Sequence, residues 1–234
     1  MTNSPIVTFV VDKELDIANY FAGFNGYKHN KEIGFEQTQN DLYEKILKST
    51  SQEEARAEVA KSIEKYYEKG DKLISIAEDI NKEWSKMESE FIKKLEEVHG
   101  FPFKYDSIKG VLSSASKFGY NTGNDWFATS MFRNKFGAID TATHELMHFM
   151  FHKYYDQVCK EKGLSENQMW DVKESFTVLL NLEFDNFRFQ QDGGYTPHAK
   201  IREAIKESWL KDHDFAKALD RAIEVVKQGY TVGA

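Results

Sequence analysis

The chain is poor in cysteine and proline, with one and three in 234 residues. It also lacks any apolar run long enough to span a bilayer and any excess of basic charge. Cys159 has no second cysteine to pair with, so an internal disulfide is excluded and a reducing compartment is favoured. A chain of this length buries roughly 70–75% of its unfolded surface, so folding requires neither a disulfide nor a structural metal. Nowhere do about 18 apolar residues run together, which excludes a spanning helix. With 31 basic against 38 acidic residues the formal net charge is −7, and such a surface repels nucleic-acid phosphates. The apolar run Ile6–Val11 has only a strand's length and no basic region before it, so no signal peptide is expected. Together these features predict a cytoplasmic globular protein with no nucleic-acid or membrane partner.

What the chain does contain is helix-forming sequence punctuated by a short β-prone region. Ile6 to Val11 reads as a strand that runs into a helix near Lys13 to Phe21. Residues 36–99 carry many charges and no proline, and read as helical throughout. Their clearest segment places Leu73, Ala77, Ile80, Trp84, Met87, Phe91, Leu95 and Val98 at steps of three or four. That spacing predicts one amphipathic helix of about 28 residues and roughly 42 Å. Gly70 and Asp71 supply a stop and an N-cap before it. The stripe is read as packing within the chain rather than as a coiled-coil arm, because it contains Trp84 and Phe91 and lacks regular e/g charge pairing.

Composition changes at Gly100-Phe101-Pro102-Phe103. The β-prone runs Val111–Ser116 and Trp126–Phe132, separated by Gly119, Gly123 and Asn124, predict a sheet of two or three strands, joined by the strand at Ile6. Helices return at about 140–158, 165–182, 198–211 and 214–227, the second opening with the capping-box pair Ser165 and Gln168. The expected fold class is α+β and mainly helical, with residues 1–100 as an N-terminal strand and helical region and 101–234 as a catalytic domain.

His144-Glu145-Leu146-Met147-His148 places two histidines at i and i+4 within a helical pattern. On a helix these side chains lie one turn apart on one face, so both imidazoles can converge on one ion. Glu145 sits beside them, placed to take a proton from water activated by the metal. The rest of the helix is apolar through Ile139, Ala142, Leu146, Met147, Phe149, Met150 and Phe151, and polar groups buried there need a partner. His152 lies a further turn on, roughly 6 Å along the axis, and a straight helix cannot bring a third histidine onto the same tetrahedral ion.

This motif, HExxH after a strand and before a second helix, resembles that of the zincin metallopeptidases. The metzincin pattern HExxHxxGxxH is absent, since Phe151 and Tyr154 occupy its glycine and last histidine positions. Peptide deformylase takes an upstream cysteine, whereas Cys159 lies downstream. The gluzincins take a glutamate from the next helix. If helices 140–158 and 165–182 form an antiparallel hairpin turning near Glu161-Lys162-Gly163, residues equidistant from the turn face one another, and His148 faces Glu174. The resemblance therefore implies Zn2+ held by His144, His148 and Glu174 with Glu145 as general base. Asp171, one turn before Glu174, is the alternative ligand. The thermolysin-like pattern ExxxD, whose aspartate orients the first histidine, is not matched: Val178 stands at that place, with Thr177 or Asn181 as possible substitutes.

In gluzincins a Tyr or His after the zinc-binding helices stabilises the oxyanion, and Tyr195 and His198 in the glycine-flanked loop 193–198 are the candidates. Asn124–Ala128 is the candidate edge strand for an extended peptide. The function expected is zinc-dependent hydrolysis of a peptide or protein substrate. The alternatives are a non-catalytic sensor or regulatory protein on a zincin fold, whose zinc is structural or vestigial, and a self-inhibited form with residues 30–70 over the cleft. The sequence leaves the oligomeric state open.

Overall fold

β-branched and aromatic residues supply the sheet, and the remainder of the chain is helical. The computed structural model describes residues 5–32, 41–68 and 70–229. It is mostly helical with a small four-stranded mixed sheet, an α+β architecture. Strand β1 (Val7–Val10) leads into helix α1 (Lys13–Glu32), and α2 (Asp41–Lys48), α3 (Gln52–Tyr67), α4 (Gly70–Trp84) and α5 (Glu88–His99) follow. Next come β2 (Ile108–Ser113), β3 (Tyr120–Asn121) and β4 (Trp126–Ser130), then α6 (Lys135–Glu161) and α7 (Glu166–Phe176). A 3-10 turn at Thr177–Leu179 joins α7 to the short α8 (Leu180–Glu183), and α9 (Ala199–Asp212) and α10 (Phe215–Lys227) complete the order.

Contacts group the chain into two units. One is drawn from Met1–Lys31, Glu36–Glu88 and Tyr105–Ala142, the other chiefly from Ser89–Lys104 and Thr143–Ala234. The boundary expected at residue 100 falls inside Ser89–Lys104, and the division near the motif falls between Ala142 and Thr143. Of the expected helical region 36–99, positions 36–40 and 69 lie outside the described residues, as do 33–40 and 69 of the segment expected as a cover. Among the described residues no helix is long and apolar enough to cross a membrane.

The first unit holds the sheet, ordered β1-β2-β4-β3. β1 pairs with β2 and β2 with β4 in parallel, whereas β3 pairs with β4 antiparallel. β2 and β4 are buried almost throughout, as parallel strands covered on both faces must be. On one face Val111, Trp126 and Ala128 pack with Leu15, Ala18 and Ala22 of α1. Phe9 and Phe127 meet edge to face at 6.0 Å.

Two expectations are corrected here. The candidate edge strand at 124–128 lies inside the sheet: Trp126 pairs with Lys109 on one side and Asn121 on the other, and Phe127 likewise with Gly110 and Tyr120. The edges are instead β1 and the two-residue β3, and β1 is closed by side chains. Asn81 bonds both the N–H and the carbonyl of Phe9 (2.7 and 2.9 Å), and Glu88 accepts from the N–H groups of Ile6 and Val7 (3.2 and 2.7 Å). Polar groups that saturate an edge prevent further strand pairing there.

The single long helix expected over 73–98 is two helices. The chain turns at residues 85–87 through Lys86 N–H to Glu83 O and Met87 N–H to Trp84 O. Glu88, freed from a continuous helix, takes the Trp84 indole N–H at 2.8 Å as well as the β1 amides. Those tertiary bonds outweigh the local helical preference. The apolar stripe survives the break: Leu73, Ala77, Ile80 and Trp84 are buried in the first unit and Phe91, Leu95 and Val98 in the second, with Met87 half-buried.

Gly110 sits where Phe9 and Phe127 converge on β2. A Cβ there would lie 2.7 Å from Phe9 Cδ1 and 3.1 Å from Phe127 Cζ, closer than real side chains pack. Gly110→Ala is expected to destabilise the protein by about 1–3 kcal/mol, the usual range for overpacking. Urea unfolding followed by circular dichroism measures it, and an unchanged midpoint would show that the aromatic pair yields freely.

Candidate metal centre

Helix α6 is the apolar, buried helix that the motif requires. Thr143, Glu145, Leu146, Met147, His148, Phe149, Met150 and Phe151 are buried, and His144 is half-buried. Gly163, in the left-handed region at φ 76°, ends it, and its N–H donates to the Lys160 carbonyl. Ser165 and Gln168 then form the reciprocal capping box that starts α7, and Phe151 of α6 meets Phe176 of α7 at 5.7 Å between ring centroids. The helix expected over 165–182 changes to a 3-10 turn at Thr177, whose hydroxyl lies 2.7 Å from the Glu174 carbonyl.

This hairpin brings three ligand atoms together. His144 Nε2 and His148 Nε2 lie 2.9 Å apart, Glu174 Oε2 is 3.6 Å from His144 Nε2, and Glu174 Oε1 is 3.4 Å from His148 Nε2. Ligands about 2.0–2.1 Å from a tetrahedral zinc ion stand roughly 3.3 Å from one another. Two of the three separations therefore match, and the two imidazoles need to open by a few tenths of an ångström. Among the described residues this is the group of histidine and acidic side chains that could hold a metal ion.

Glu145 is buried between the two histidines in sequence, and its Oε2 has no hydrogen-bond partner. Burial, reinforced by the Glu174 and Asp192 carboxylates, raises its pKa to about 7 despite opposition from His144 and Lys173. A carboxyl at that value suits proton transfer near neutrality. Burial and the positive charges of Lys173 and His144 push the His148 imidazole down to about 3. Burial would lower His144 too, but the Asp192 and Glu174 carboxylates outweigh it and raise that imidazole to about 10. Glu174 is held well below the ordinary carboxylate range, because Lys173 and the histidines overcome the effect of burial.

Asp192 is the residue that sequence reasoning missed. Its Oδ2 lies 2.8 Å from His144 Nδ1, fixing the ring so that Nε2 points at the cluster. Thr177 and Asn181, expected as substitutes for the missing ExxxD aspartate, act one step further out. The Thr177 hydroxyl is 2.9 Å from Asp192 Oδ1, and the Asn181 amide bonds the Asp192 N–H and carbonyl at 2.7 and 2.8 Å. Arg202 adds bonds to Asp192 Oδ1 and carbonyl at 3.1 and 2.8 Å. His144, Arg202 and the Thr177 hydroxyl outweigh burial and hold the Asp192 carboxyl well below its ordinary range. A carboxylate followed by two glycines, in the loop just after the ligand helix, was the available signal.

Lys173 was also missed. It is a buried lysine whose Nζ lies 2.6 Å from Glu174 Oε1 and 5.8 Å from the centre of the Trp170 ring.

Asp171, His152 and His198 are not part of that candidate metal-holding group. His198 is fully buried with Nε2 2.9 Å from Asp171 Oδ1, so the alternative ligand Asp171 is engaged with His198. Tyr195 is half-buried against Trp170 and His198, with centroids at 5.4 Å in both cases. His152 pairs with Asp156 at 2.8 Å, one turn along α6 from His148. No protein-family model, curated protein or solved structure matches the chain, so the chemistry is read from these side chains alone.

Were zinc held by this cluster, Asp192→Ala would weaken its binding about 10- to 100-fold, the usual cost of releasing a ligating histidine. Competition with a fluorescent zinc chelator measures this, and an unchanged affinity would show that Asp192 does not position His144.

Proposed function

We propose that this chain is a zinc-dependent peptidase of gluzincin type, built on a zincin-like catalytic domain. The observation that carries the proposal is the convergence of His144 Nε2, His148 Nε2 and the Glu174 carboxylate beside a buried glutamate with an unpartnered oxygen. Zn2+ suits this set of two imidazoles and one carboxylate, which leaves a tetrahedral ion a fourth position for reaction. When bound it supplies Lewis acidity toward water and toward a carbonyl oxygen.

The chain's own residues carry the remaining steps. Glu145 accepts the proton of the attacking water at Oε2 and passes it to the leaving amine. Asp192 keeps His144 in one orientation throughout, because its carboxylate holds Nδ1 while Thr177, Asn181 and Arg202 hold the carboxylate. Lys173 holds Oε1 of Glu174. His198, buried and bonded to Asp171, serves to position α7, and the Tyr195 hydroxyl is the proposed donor to the oxyanion. The substrate class is a peptide or protein. An orphaned general base supports catalysis over a purely structural site, which has no use for one. The single, buried Cys159 fits a reducing, cytoplasmic setting.

Two variants test the proposal, with zinc measured by plasma mass spectrometry and hydrolysis by labelled casein and a quenched-fluorescence peptide mixture. Glu145→Gln is expected to retain one zinc per chain and to lose about 10²- to 10⁴-fold in hydrolysis. His148→Ala is expected to lose the zinc. Full hydrolysis by Glu145→Gln would refute the general base, and zinc retained by His148→Ala would refute the ligand set.

A further inference from the structure

A cavity of about 430 Å³ opens in the unit that holds the histidines, beside the C-terminal end of α6 and lined by none of the candidate ligands. Its volume falls in the range of roughly 300–1,000 Å³ of small-molecule sites. Its mouth is aromatic: Phe101 and Tyr154 stack face to face at 4.4 Å and 10°, and Phe101 keeps 43% of its surface exposed. His99 forms the buried wall, its ring centroid 4.4 Å from that of Phe215 at a 30° tilt.

The tautomer of His99 follows from its neighbour. His99 Nε2 is 3.1 Å from Met147 Sδ, and a thioether sulfur only accepts. Nε2 therefore carries the proton, and Nδ1 presents a lone pair. That Nδ1 is buried without a hydrogen-bond partner, and burial lowers the imidazole pKa to about 3, so the ring stays neutral. Leaving such an acceptor buried and unpaired costs about 1–3 kcal/mol, which a ligand donor would recover.

The other charged side chains of the wall are acceptors too. Glu97, Asp214 and Asp220 line the cavity and no lysine or arginine does. Glu97 has only a loose contact with Lys93 at 4.0 Å. The Tyr155 hydroxyl donates to the His99 carbonyl at 2.7 Å and the Tyr154 hydroxyl to the Pro102 carbonyl, so neither phenol proton faces a ligand. The remaining histidine, His213, turns toward Glu183 at 3.7 Å. Lys162 pairs with Asp220 at 2.5 Å and the Lys217 N–H donates to Asp214 at 3.1 Å, so Glu97 is the carboxylate left most open. Aromatic faces, the Glu97 carboxylate and one lone pair make a site for a donor-rich cation.

We propose that this cavity binds an organic ammonium or guanidinium group attached to a flat apolar body, seated between the Phe101–Tyr154 mouth and His99 Nδ1. The site stands apart from the metal cluster and its occupancy does not require zinc.

Isothermal titration of the full chain with 2-phenylethylamine, phenylacetate and N-acetyl-phenylalanyl-arginine amide tests it. The amine is expected to bind once per chain with Kd on the order of 0.1–1 mM, and phenylacetate, with the same ring and opposite charge, at least about tenfold more weakly. Whichever of the amine and the peptide binds more tightly identifies a free amine or a basic side chain as the source. Glu97→Gln, at an exposed position, is expected to weaken amine binding about three- to tenfold. His99→Phe is expected to abolish it, with circular dichroism checking the fold, and Glu97→Gln decides alone if that variant unfolds. Absence of saturable binding, equal binding of phenylacetate, or unchanged affinity in Glu97→Gln overturns the proposal.

Discussion

Burying several charges side by side is the constraint on which the second unit depends. His148, Glu145, Lys173 and Glu174 are all buried, Asp192 is nearly enclosed and His144 is half-buried. Each isolated charge in such a place costs several kcal/mol, and the cost is recovered only where an opposite charge and hydrogen bonds meet it. Lys173 and the histidines meet Glu174, whereas His144 and Arg202 meet Asp192. The groups left unmatched are informative. Glu145 has one oxygen with no partner, and the two Nε2 atoms crowd to 2.9 Å. A divalent ion between the imidazoles and Glu174 would relieve that crowding.

The helix that carries Glu174 changes to a 3-10 turn at Thr177, whose hydroxyl lies within reach of the Glu174 carbonyl, Asp192 and Arg202 Nη1 (2.7, 2.9 and 2.8 Å). Local helical regularity lapses at the residue whose bonds help to fix the orientation of one imidazole. The same trade occurs in the first unit, where the chain breaks at residues 85–87 so that Glu88 can saturate the β1 edge and the Trp84 indole.

These two breaks mark the limit of what the sequence made legible. His144, Glu145 and His148 were readable because i and i+4 on one helix is a local relation, and Glu174 because Gly163 and the Ser165–Gln168 capping box are local signals of a tight hairpin. The strands were readable from β-branched runs, but their order was not, since periodicity does not say which strand lies inside. The break after Trp84 depends on amides 81 and 82 residues away. Asp192 lies 48 residues from the ring that it orients, and no spacing rule connects them. Burial of Lys173 beside Glu174 runs against the usual exposure of lysine, so only the folded chain reveals it.

The most remote of these dependencies runs through a glycine. Gly194 takes φ 62°, and a Cβ there would stand 2.6 Å from Arg202 Cζ and 2.7 Å from its Nε and Nη1. Only a residue without a side chain lets the loop cross the guanidinium at this distance. Arg202 is thereby free to hold Asp192 by both its carboxylate and its carbonyl, and Asp192 holds His144 Nδ1. Backbone freedom at one loop position is converted, through three side chains, into the aim of a ring nitrogen on a helix fifty residues earlier in the chain. The loop that follows the ligand helix is therefore as much a part of the centre as the motif itself. It supplies no candidate ligand, yet it sets the direction of the first one.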